Sequence, residues 1–386
     1  MWHRVGADEE CDEKLRSCTV KMPVGFGNTV RARPRMGMHR RTGMRPRPVA
    51  NSYVTIGGNQ YIIKHAGGLV TQADVRKAYK KAGIGNGNVD PHTLTFGPNA
   101  TTIDANVSGQ AVTEVTFWWR CGNLKLRKDA FKNRENITTV TFGNVKGNLD
   151  IGQNAFLLED NSSLTTLTFR NVRGNMTIGA NAFKIVGDLP LTVLRFGHVY
   201  GNLTIGTEAF AVTGGTSSAS VQSIVFTRVY RNLTIGSNAF TQDALTTNLV
   251  RVSINHVGGS LTIDTEAFSQ TFASLTTVSI GPVGKDLTMN TEAFNLTANF
   301  DTLHTVTFST VGRNFSLANV AFPFQTFVNA TGSGRGVRFP TGIGGSTTIG
   351  VGPFLNADPT VQLSGSGAQL SAVTTGTDVT GQHYYI

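Results

Sequence analysis

The feature that most constrains the fold of this chain is a ten-residue segment that returns almost unchanged. It reads GNLDIGQNAF at 147–156, GNMTIGANAF at 174–183, GNLTIGTEAF at 201–210 and RNLTIGSNAF at 231–240. The phenylalanine that closes the segment recurs every 25 to 32 residues along most of the 386-residue chain. Periods of this length are typical of solenoids, in which each repeat forms one coil that stacks on the next.

Three apolar positions keep the same phase through nine repeats. One series runs from Phe117 to Phe339 and another from Leu126 to Ile349, in segments such as LTTLTF and MTI that alternate apolar residues with threonine, as half-buried strands do. The third series is the phenylalanine of the AF pair, and its members are Phe131, Phe156, Phe183, Phe210, Phe240, Phe268, Phe294 and Phe322, with Phe354 as a degenerate ninth. The sequence therefore predicts an all-β solenoid of about nine coils, with the AF phenylalanines stacked in a buried column.

Asparagine recurs at the corner before the second strand of the repeat, at Asn148, Asn175, Asn202 and Asn232. An amide at a buried turn can satisfy backbone groups of its own coil and of the next coil. Asn175, Asn202 and Asn232 also begin N-x-T sequons. Because the corner position explains the asparagine and the outer strand face explains the threonine, we interpret these asparagines as structural and expect no glycosylation.

The elements IGQNAF, IGANAF, IGTEAF and IGSNAF, each followed at a distance by an LTTLTF-like strand, resemble the BspA-like leucine-rich repeat. The resemblance covers residues 112–355. It implies a right-handed, leucine-rich-repeat-like solenoid that serves adhesion, recognition or structural display, and it brings no catalytic residues. The repeats of this chain are longer than those typical of the family, lack the cysteine that often follows AF, and insert a VxGN corner.

Four segments are predicted: a basic extended arm at 1–50, a small α+β cap at 51–90, the solenoid at 91–355 and a C-terminal cap or tail at 356–386. In the cap, YVTIGGNQYIIK indicates a hairpin. A helix is expected to follow it, with Thr71 as its N-cap and Gly83 near its C-terminal end.

The N-terminal arm is strongly basic. Residues 1–50 hold eleven Lys or Arg and five Asp or Glu, a net charge of +6 out of +10 for the chain, and interleaved proline and glycine disfavour helix and strand. Such an arm can bind a polyanion or lie as a strap along acidic protein surfaces, whereas a solvated tail with no fixed partner is the alternative. The arginines expected to make these contacts are Arg31, Arg33, Arg35, Arg40, Arg41, Arg45 and Arg47.

No catalytic, cofactor or metal site is predicted. The eight histidines form no ligand motif, and neither a GxSxG element nor a phosphate-binding GxxxxGK[ST] element occurs. Glu208, Glu266 and Glu292 share one repeat position and could imitate a carboxylate pair, but other residue types interrupt the row. His198 and His256 are interpreted as ordinary loop histidines. We therefore expect a protein that is not an enzyme.

Trp118 and Trp119 are the main aromatic residues predicted to leave the core. Because they are adjacent on a strand, one of them should point outward, towards either the 51–90 cap or a partner. No apolar run is long enough to span a membrane, and acidic residues occupy the region where a signal peptide would be apolar. Three cysteines indicate a reducing compartment, although a pairing of Cys11 with Cys18 remains open.

The leading functional hypothesis is a structural protein of a large assembly, namely a viral minor capsid or cement protein. Its solenoid would be a rigid spacer, and its arm would strap onto neighbouring capsid subunits in a virion. One alternative is a BspA-like recognition module that binds protein or glycan on the sheet face, which predicts an exposed aromatic or charged cluster at matched positions of successive coils. Another alternative is nucleic-acid contact through residues 31–48. A cytoplasmic location is the alternative to the virion.

Overall fold

The fold is an all-β solenoid of about seven turns, with 41% strand and 5% helix. A computed structural model describes residues 52–63, 68–87, 90–120, 122–159, 162–187, 191–214, 221–242, 249–269, 275–295, 305–322, 336–340 and 342–350. The predicted all-β solenoid is therefore confirmed. The count of nine coils remains a prediction because several connections between strands lie outside the described residues. The seven arginines of the arm, Phe354, Cys11 and the C-terminal tail also lie outside them.

The first strand of each coil belongs to one twelve-stranded sheet. In chain order its strands are β1 (Ser52–Ile56), β2 (Asn59–Ile63), β4 (His92–Phe96), β6 (Val112–Phe117), β8 (Thr139–Phe142), β10 (Thr166–Phe169), β13 (Val193–Val199), β16 (Ser223–Val229), β18 (Arg251–Ile254), β20 (Thr277–Ile280), β22 (Thr305–Phe308) and β24 (Gly336–Arg338). From β4 onwards each strand pairs in parallel with the strand of the next coil, whereas β1 pairs antiparallel with both β2 and β4.

The second strand of each coil belongs to an eleven-stranded parallel sheet. Its strands are β3 (Leu69–Val70), β5 (Thr102–Ile103), β7 (Leu124–Leu126), β9 (Leu149–Ile151), β11 (Met176–Ile178), β14 (Leu203–Ile205), β17 (Leu233–Ile235), β19 (Leu261–Ile263), β21 (Leu287–Met289), β23 (Phe315–Leu317) and β25 (Thr347–Ile349). The variable segments add one short parallel pair, β12 (Ile185–Gly187) with β15 (Val212–Gly214). Nothing helical in the described part of the chain has the length and apolar character of a membrane span.

In-register pairing explains why the repeat can be read from the sequence. Phe169 pairs with Phe142 and Phe196 on either side. Parallel strands in register place the same repeat position of successive coils side by side, so each apolar position becomes a column along the rod. The AF rings form such a column: Phe183 stacks on Phe156 and on Phe210, with centroid separations of 5.0 and 5.3 Å and interplanar angles of 8° and 3°.

The stack begins one coil before the repeat becomes recognisable in the sequence. Strand β4 supplies Phe96, whose ring stacks on Phe117 with a centroid separation of 5.2 Å, and β5 pairs Ile103 with Leu126. This coil has no AF pair, so a search aligned on AF does not find it. The hairpin β1–β2 and the strand β3 extend the two sheets further, which joins the 52–87 region to the solenoid.

The helix α1 (Gln72–Ala82) starts and ends where its capping residues require. Thr71 accepts a hydrogen bond from the backbone of Asp74, and the Asp74 side chain accepts one from the backbone of Thr71 in return, which is a capping box. Gly83 ends the helix in the left-handed conformation, with φ of 77°. Val75 and Tyr79 are buried, and the Tyr79 hydroxyl accepts a hydrogen bond from the Gly109 backbone.

The corner asparagines form a hydrogen-bonded ladder. The backbone N–H of Asn202 donates to Oδ1 of Asn175 at 2.9 Å, and the N–H of Asn232 donates to Oδ1 of Asn202 at 3.1 Å. These bonds lie at the solvent-exposed surface and not at a buried turn, which corrects our expectation of their environment. Packing requires the glycine before Asn175, because a Cβ at Gly174 would lie 2.2 Å from Oδ1 of Asn148.

Replacing Asn175 with alanine should lower the free energy of unfolding by about 1 kcal/mol, because the Asn202 N–H loses its acceptor while water can partly replace it. Asn175→Asp keeps an oxygen at the same place and should cost less than half as much. Urea unfolding followed by circular dichroism measures both. Equal losses for the two variants would contradict the ladder as a source of stability.

Candidate functional site

One edge of the solenoid carries only basic and neutral side chains over six coils. We call it the basic corner, and it comprises the turns at 118–123, 143–148, 170–175, 197–202, 227–232 and 255–260, with Cys121 outside the described residues. These turns connect the first sheet to the second and contain no carboxylate. Their exposed cations are Arg170, Arg173, Arg228 and Arg231, and Lys146 is half-buried. An anionic ligand would therefore meet no acidic residue on this corner.

The corner at the other end of the second-sheet strands differs because it carries acids. The IGxxAF turns place Asp129, Glu208, Glu266 and Glu292 there, each with φ between 53° and 58°. Glu208 forms an ion pair with Lys184 from the preceding coil. The shared glutamate position is thus a left-handed turn position in each of these coils. The rod therefore has one edge that lacks acids over six coils and another edge that carries several of its described acids.

Two exposed tyrosines form the centre of the basic corner. Val199 pairs with Val229, so the next residues, Tyr200 and Tyr230, occupy matched positions of successive coils. Their rings stack with a centroid separation of 4.4 Å and an interplanar angle of 7°, although they are 41% and 38% exposed. The Arg228 guanidinium lies over the Tyr230 ring, 4.7 Å from its centroid. Because Tyr200 already covers one face of Tyr230, Arg228 covers the other face.

This arrangement leaves one face of Tyr200 without a stacked ring in the described structure. That face looks along the rod towards the preceding coil, where Arg173 has the same repeat position because Val172 bridges to Val199. Lys146 has this position one coil further back, next to Val145. The row Lys146, Arg173, Tyr200, Tyr230 therefore presents two cations followed by two stacked rings.

Two histidines flank the tyrosines. The ring of His198 lies 6.5 Å from that of Tyr200, and its backbone N–H donates to Oδ1 of Asn171 at 2.9 Å. Nε2 of His256 lies 3.5 Å from a guanidinium nitrogen of Arg228. Partial burial, together with the charge of Arg228, lowers the pKa of His256. His256 is therefore mainly neutral at pH 7 and can accept a hydrogen bond from Arg228. Both histidines therefore lie beside the tyrosines, whereas the sequence indicated only ordinary loop positions for them.

An open cleft of about 720 Å³ adjoins the basic corner on the outer face of β10, β13 and β16. Its lining includes Thr168, Arg170, Arg195 and Thr227. Arg195 is exposed, so one further cation joins Arg170 beside the tyrosines. The basic surface therefore extends from the corner onto the first sheet.

Trp118 and Trp119 lie at the first turn of the basic corner. Trp118 is the outward residue, with 49% of its surface exposed, whereas Trp119 is partly buried and has the Lys146 ammonium 5.8 Å from its ring centroid. In the described structure Trp118 thus remains open to solvent, without complete cover from the 52–87 region.

Arg120 lies in the same turn but points inward. It bridges to Val145 and so has the position that valine holds in the following coils. Its side chain is fully buried, one guanidinium nitrogen donates to the carbonyl oxygen of Ala100, and Nε and the other terminal nitrogen have no hydrogen-bond partner in the described structure. Burial lowers the pKa of Arg120 to about 9, although nearby Tyr53 has an opposing effect.

The structure brings together residues that the sequence did not single out. Tyr200, Tyr230 and Arg228 form one cluster, and the only sequence signal for it is the tyrosine after the corner valine in HVYGN and RVYRN. Among the described residues, no group of three His, Cys, Asp or Glu is placed to hold a metal ion. No known protein family matches this chain, and neither does any curated protein or solved structure.

Proposed function

We propose that this chain is a non-enzymatic structural protein of a large assembly, in which the solenoid is a rigid spacer and the arm at 1–50 straps onto neighbouring subunits. The observation that supports this role most is the continuous pairing of the two sheets along the whole stack. Every inner coil is bonded to both neighbours through backbone hydrogen bonds and stacked rings. At about 4.8 Å per coil, nine coils would make a rod on the order of 43 Å long.

The distribution of charge supports an assembly role. The arm is basic, and so is the corner that carries Arg173 and Arg228. Like charges repel, so the arm of one subunit would dock on acidic surfaces of its neighbours, such as a surface resembling the corner with Glu266 and Glu292. A viral shell is the assembly that we propose, with the chain as a minor capsid or cement protein, because arginine-rich arms are common there.

A BspA-like recognition module is the second candidate. That hypothesis predicts an exposed aromatic cluster at matched positions of successive coils, and the Tyr200–Tyr230 pair has this arrangement. The pair lies at the corner between the sheets, not on the sheet face that we expected to bind a ligand. The observation therefore favours recognition through the edge of the rod.

Sedimentation of an extract from the cells that produce the protein tests the structural role. We expect the full chain to migrate with a particle far larger than its 41.3 kDa. Replacing the seven arginines between 31 and 47 with glutamine should release it as a folded monomer, because the strap contacts depend on those charges. Replacing Arg76, Lys77, Lys80 and Lys81, the exposed cations of α1, is the control and should leave it in the particle.

Three outcomes separate the candidates. Release by the arm substitutions but not by nuclease supports the protein strap. Release by nuclease as well would indicate that residues 31–48 contact nucleic acid. Migration of the unaltered chain as a free monomer would overturn the structural role and favour the recognition module.

A further inference from the structure

We infer that the basic corner binds single-stranded nucleic acid, with a base stacked on the open face of Tyr200 and backbone phosphates on the cations of neighbouring coils. This site is separate from the arm, and the inference does not depend on the proposed structural role. It rests on three features of the described residues, namely the stacked tyrosines, the row of cations and the absence of carboxylates from these turns.

The tyrosine stack supplies a rigid platform for a base. Tyr230 and the Arg228 guanidinium support Tyr200 from one side, so the ring position is fixed before a ligand arrives. A preorganised ring loses little conformational freedom on binding, which favours affinity. A base entering between Tyr200 and Arg173 would complete a stack of guanidinium, base, ring, ring and guanidinium. Both kinds of contact, base on aromatic ring and arginine on base, are common in proteins that bind single strands.

The cations are spaced for the backbone of the same strand. Lys146, Arg173 and Arg231 belong to three coils, and the first and last are three coil spacings apart, about 14 Å. Arg170 and Arg195 flank this row on the outer face of the first sheet. Trp119 lies in the coil before that of Lys146, whose ammonium is beside its ring, and offers a second aromatic residue. The corner therefore matches a short segment of a few nucleotides, within the range that small single-strand modules cover.

The chemistry favours a single strand over other anions. A duplex offers phosphates but keeps its base faces stacked internally, so it could not use Tyr200. Anionic glycans and acidic peptides would use the cations but would gain little from an aromatic stack capped by arginine. Neutral glycans would stack on Tyr200 but leave the cations without counter-charges. Only an unpaired nucleic-acid strand uses both features.

Fluorescence anisotropy with a labelled twelve-nucleotide oligothymidylate tests the site. The full chain is used, with the seven arginines between 31 and 47 replaced by glutamine so that the arm does not contribute. We expect binding that weakens as salt rises, since phosphate contacts release counterions. Tyr200→Ala should weaken binding about 5- to 150-fold through loss of one base stack. Tyr200→Phe keeps the ring and should bind nearly as well as the parent.

Charge variants and competitors complete the test. Arg173→Gln should lower the salt dependence by about one counterion, whereas Arg127→Gln, an exposed cation on the other corner, should have no effect. An abasic oligonucleotide of equal length should bind the parent as weakly as oligothymidylate binds Tyr200→Ala. A duplex should also bind the parent weakly. Equal affinity for oligothymidylate, heparin and polyglutamate would overturn the inference, as would unchanged binding in Tyr200→Ala with an unchanged melting temperature.

Discussion

Replacing Phe183 with alanine should lower the free energy of unfolding by about 4 kcal/mol, within the usual range for removing a buried phenylalanine ring. The ring is 3% exposed and stacks on Phe156 and Phe210, and it also makes edge-to-face contacts with Phe142 and Phe169. No adjacent residue can fill the space without leaving its own column. The cavity would therefore persist, which keeps the loss from falling to the lower end of the range.

The same substitution should also change how the rod unfolds. In a solenoid the stability is close to a sum of terms for each coil and each interface between neighbours. Phe183→Ala weakens two adjacent interfaces in the middle of the stack, so the two halves should separate as cooperative units. In urea we expect a broader transition with a smaller m-value or two resolved steps, followed by circular dichroism.

Thr177→Ala is the matched control for Phe183→Ala. Thr177 lies on β11 of the same coil, is exposed and contributes no ring to the core. Its replacement should change the free energy of unfolding by less than about 0.5 kcal/mol and leave a single transition. A Phe183→Ala protein that unfolds like the Thr177→Ala protein would show that the ring column does not hold the coils together.

The columns could be predicted from the sequence because the fold repeats one register. When parallel strands pair without a shift, a position that is buried in one coil is buried in every coil. Each coil then needs an apolar side chain there, so the same residue type recurs at a fixed period. Phe156, Phe183 and Phe210 are visible for this reason. The coil with Phe96 lies inside the predicted solenoid, but the repeat does not reveal it because it contributes to both sheets without an AF turn.

The basic corner could not be predicted in the same way. Tyr200 and Tyr230 occur in only two coils, so they form no periodic signal, and the exposure of a turn residue depends on the packing of its neighbours. Arg228 becomes part of the stack because of its side-chain conformation, which has no sequence pattern. Arg120 is different, since aligning the repeats places it at the valine position. The sequence does indicate that Arg120 is unusual, because an arginine interrupts a column of valines.

Replacing Arg120 with methionine should raise the free energy of unfolding by about 2 kcal/mol at pH 7. The guanidinium is fully buried, and in the described structure it makes a single hydrogen bond, to the carbonyl of Ala100. A buried charge without a paired anion is costly, and exchanging buried arginine for an apolar side chain of similar length is often stabilising. Methionine can fill the space of the aliphatic stem, and the loss of the Ala100 hydrogen bond reduces the gain by about 1 kcal/mol.

The pH dependence gives an independent signature of the buried charge. Below pH 9 Arg120 is protonated in both the folded and the unfolded chain, so the full penalty of burial is present. As pH rises through its folded pKa of about 9, the folded state releases the proton while the unfolded state, whose pKa keeps its usual and much higher value, retains it. The unfolded state then binds more protons, so the stability of the parent rises with pH. The advantage of Arg120→Met should shrink by about 1 kcal/mol between pH 8 and pH 10.

Tyrosine titration does not obscure this comparison. Burial raises the pKa of Tyr53 and raises that of Tyr79 to about 12, so both phenols of the folded protein titrate above the window. The charge of Arg120 opposes the shift of Tyr53, so replacing Arg120 raises the pKa of Tyr53 further and moves its titration away from the window. Arg127→Met removes an exposed guanidinium and should change stability by less than about 0.5 kcal/mol, with no trend over this pH range. Chemical unfolding at pH 8, 9 and 10 measures all three proteins. A loss of 3 kcal/mol or more in Arg120→Met would mean that the guanidinium organises the first coils through contacts that outweigh its burial.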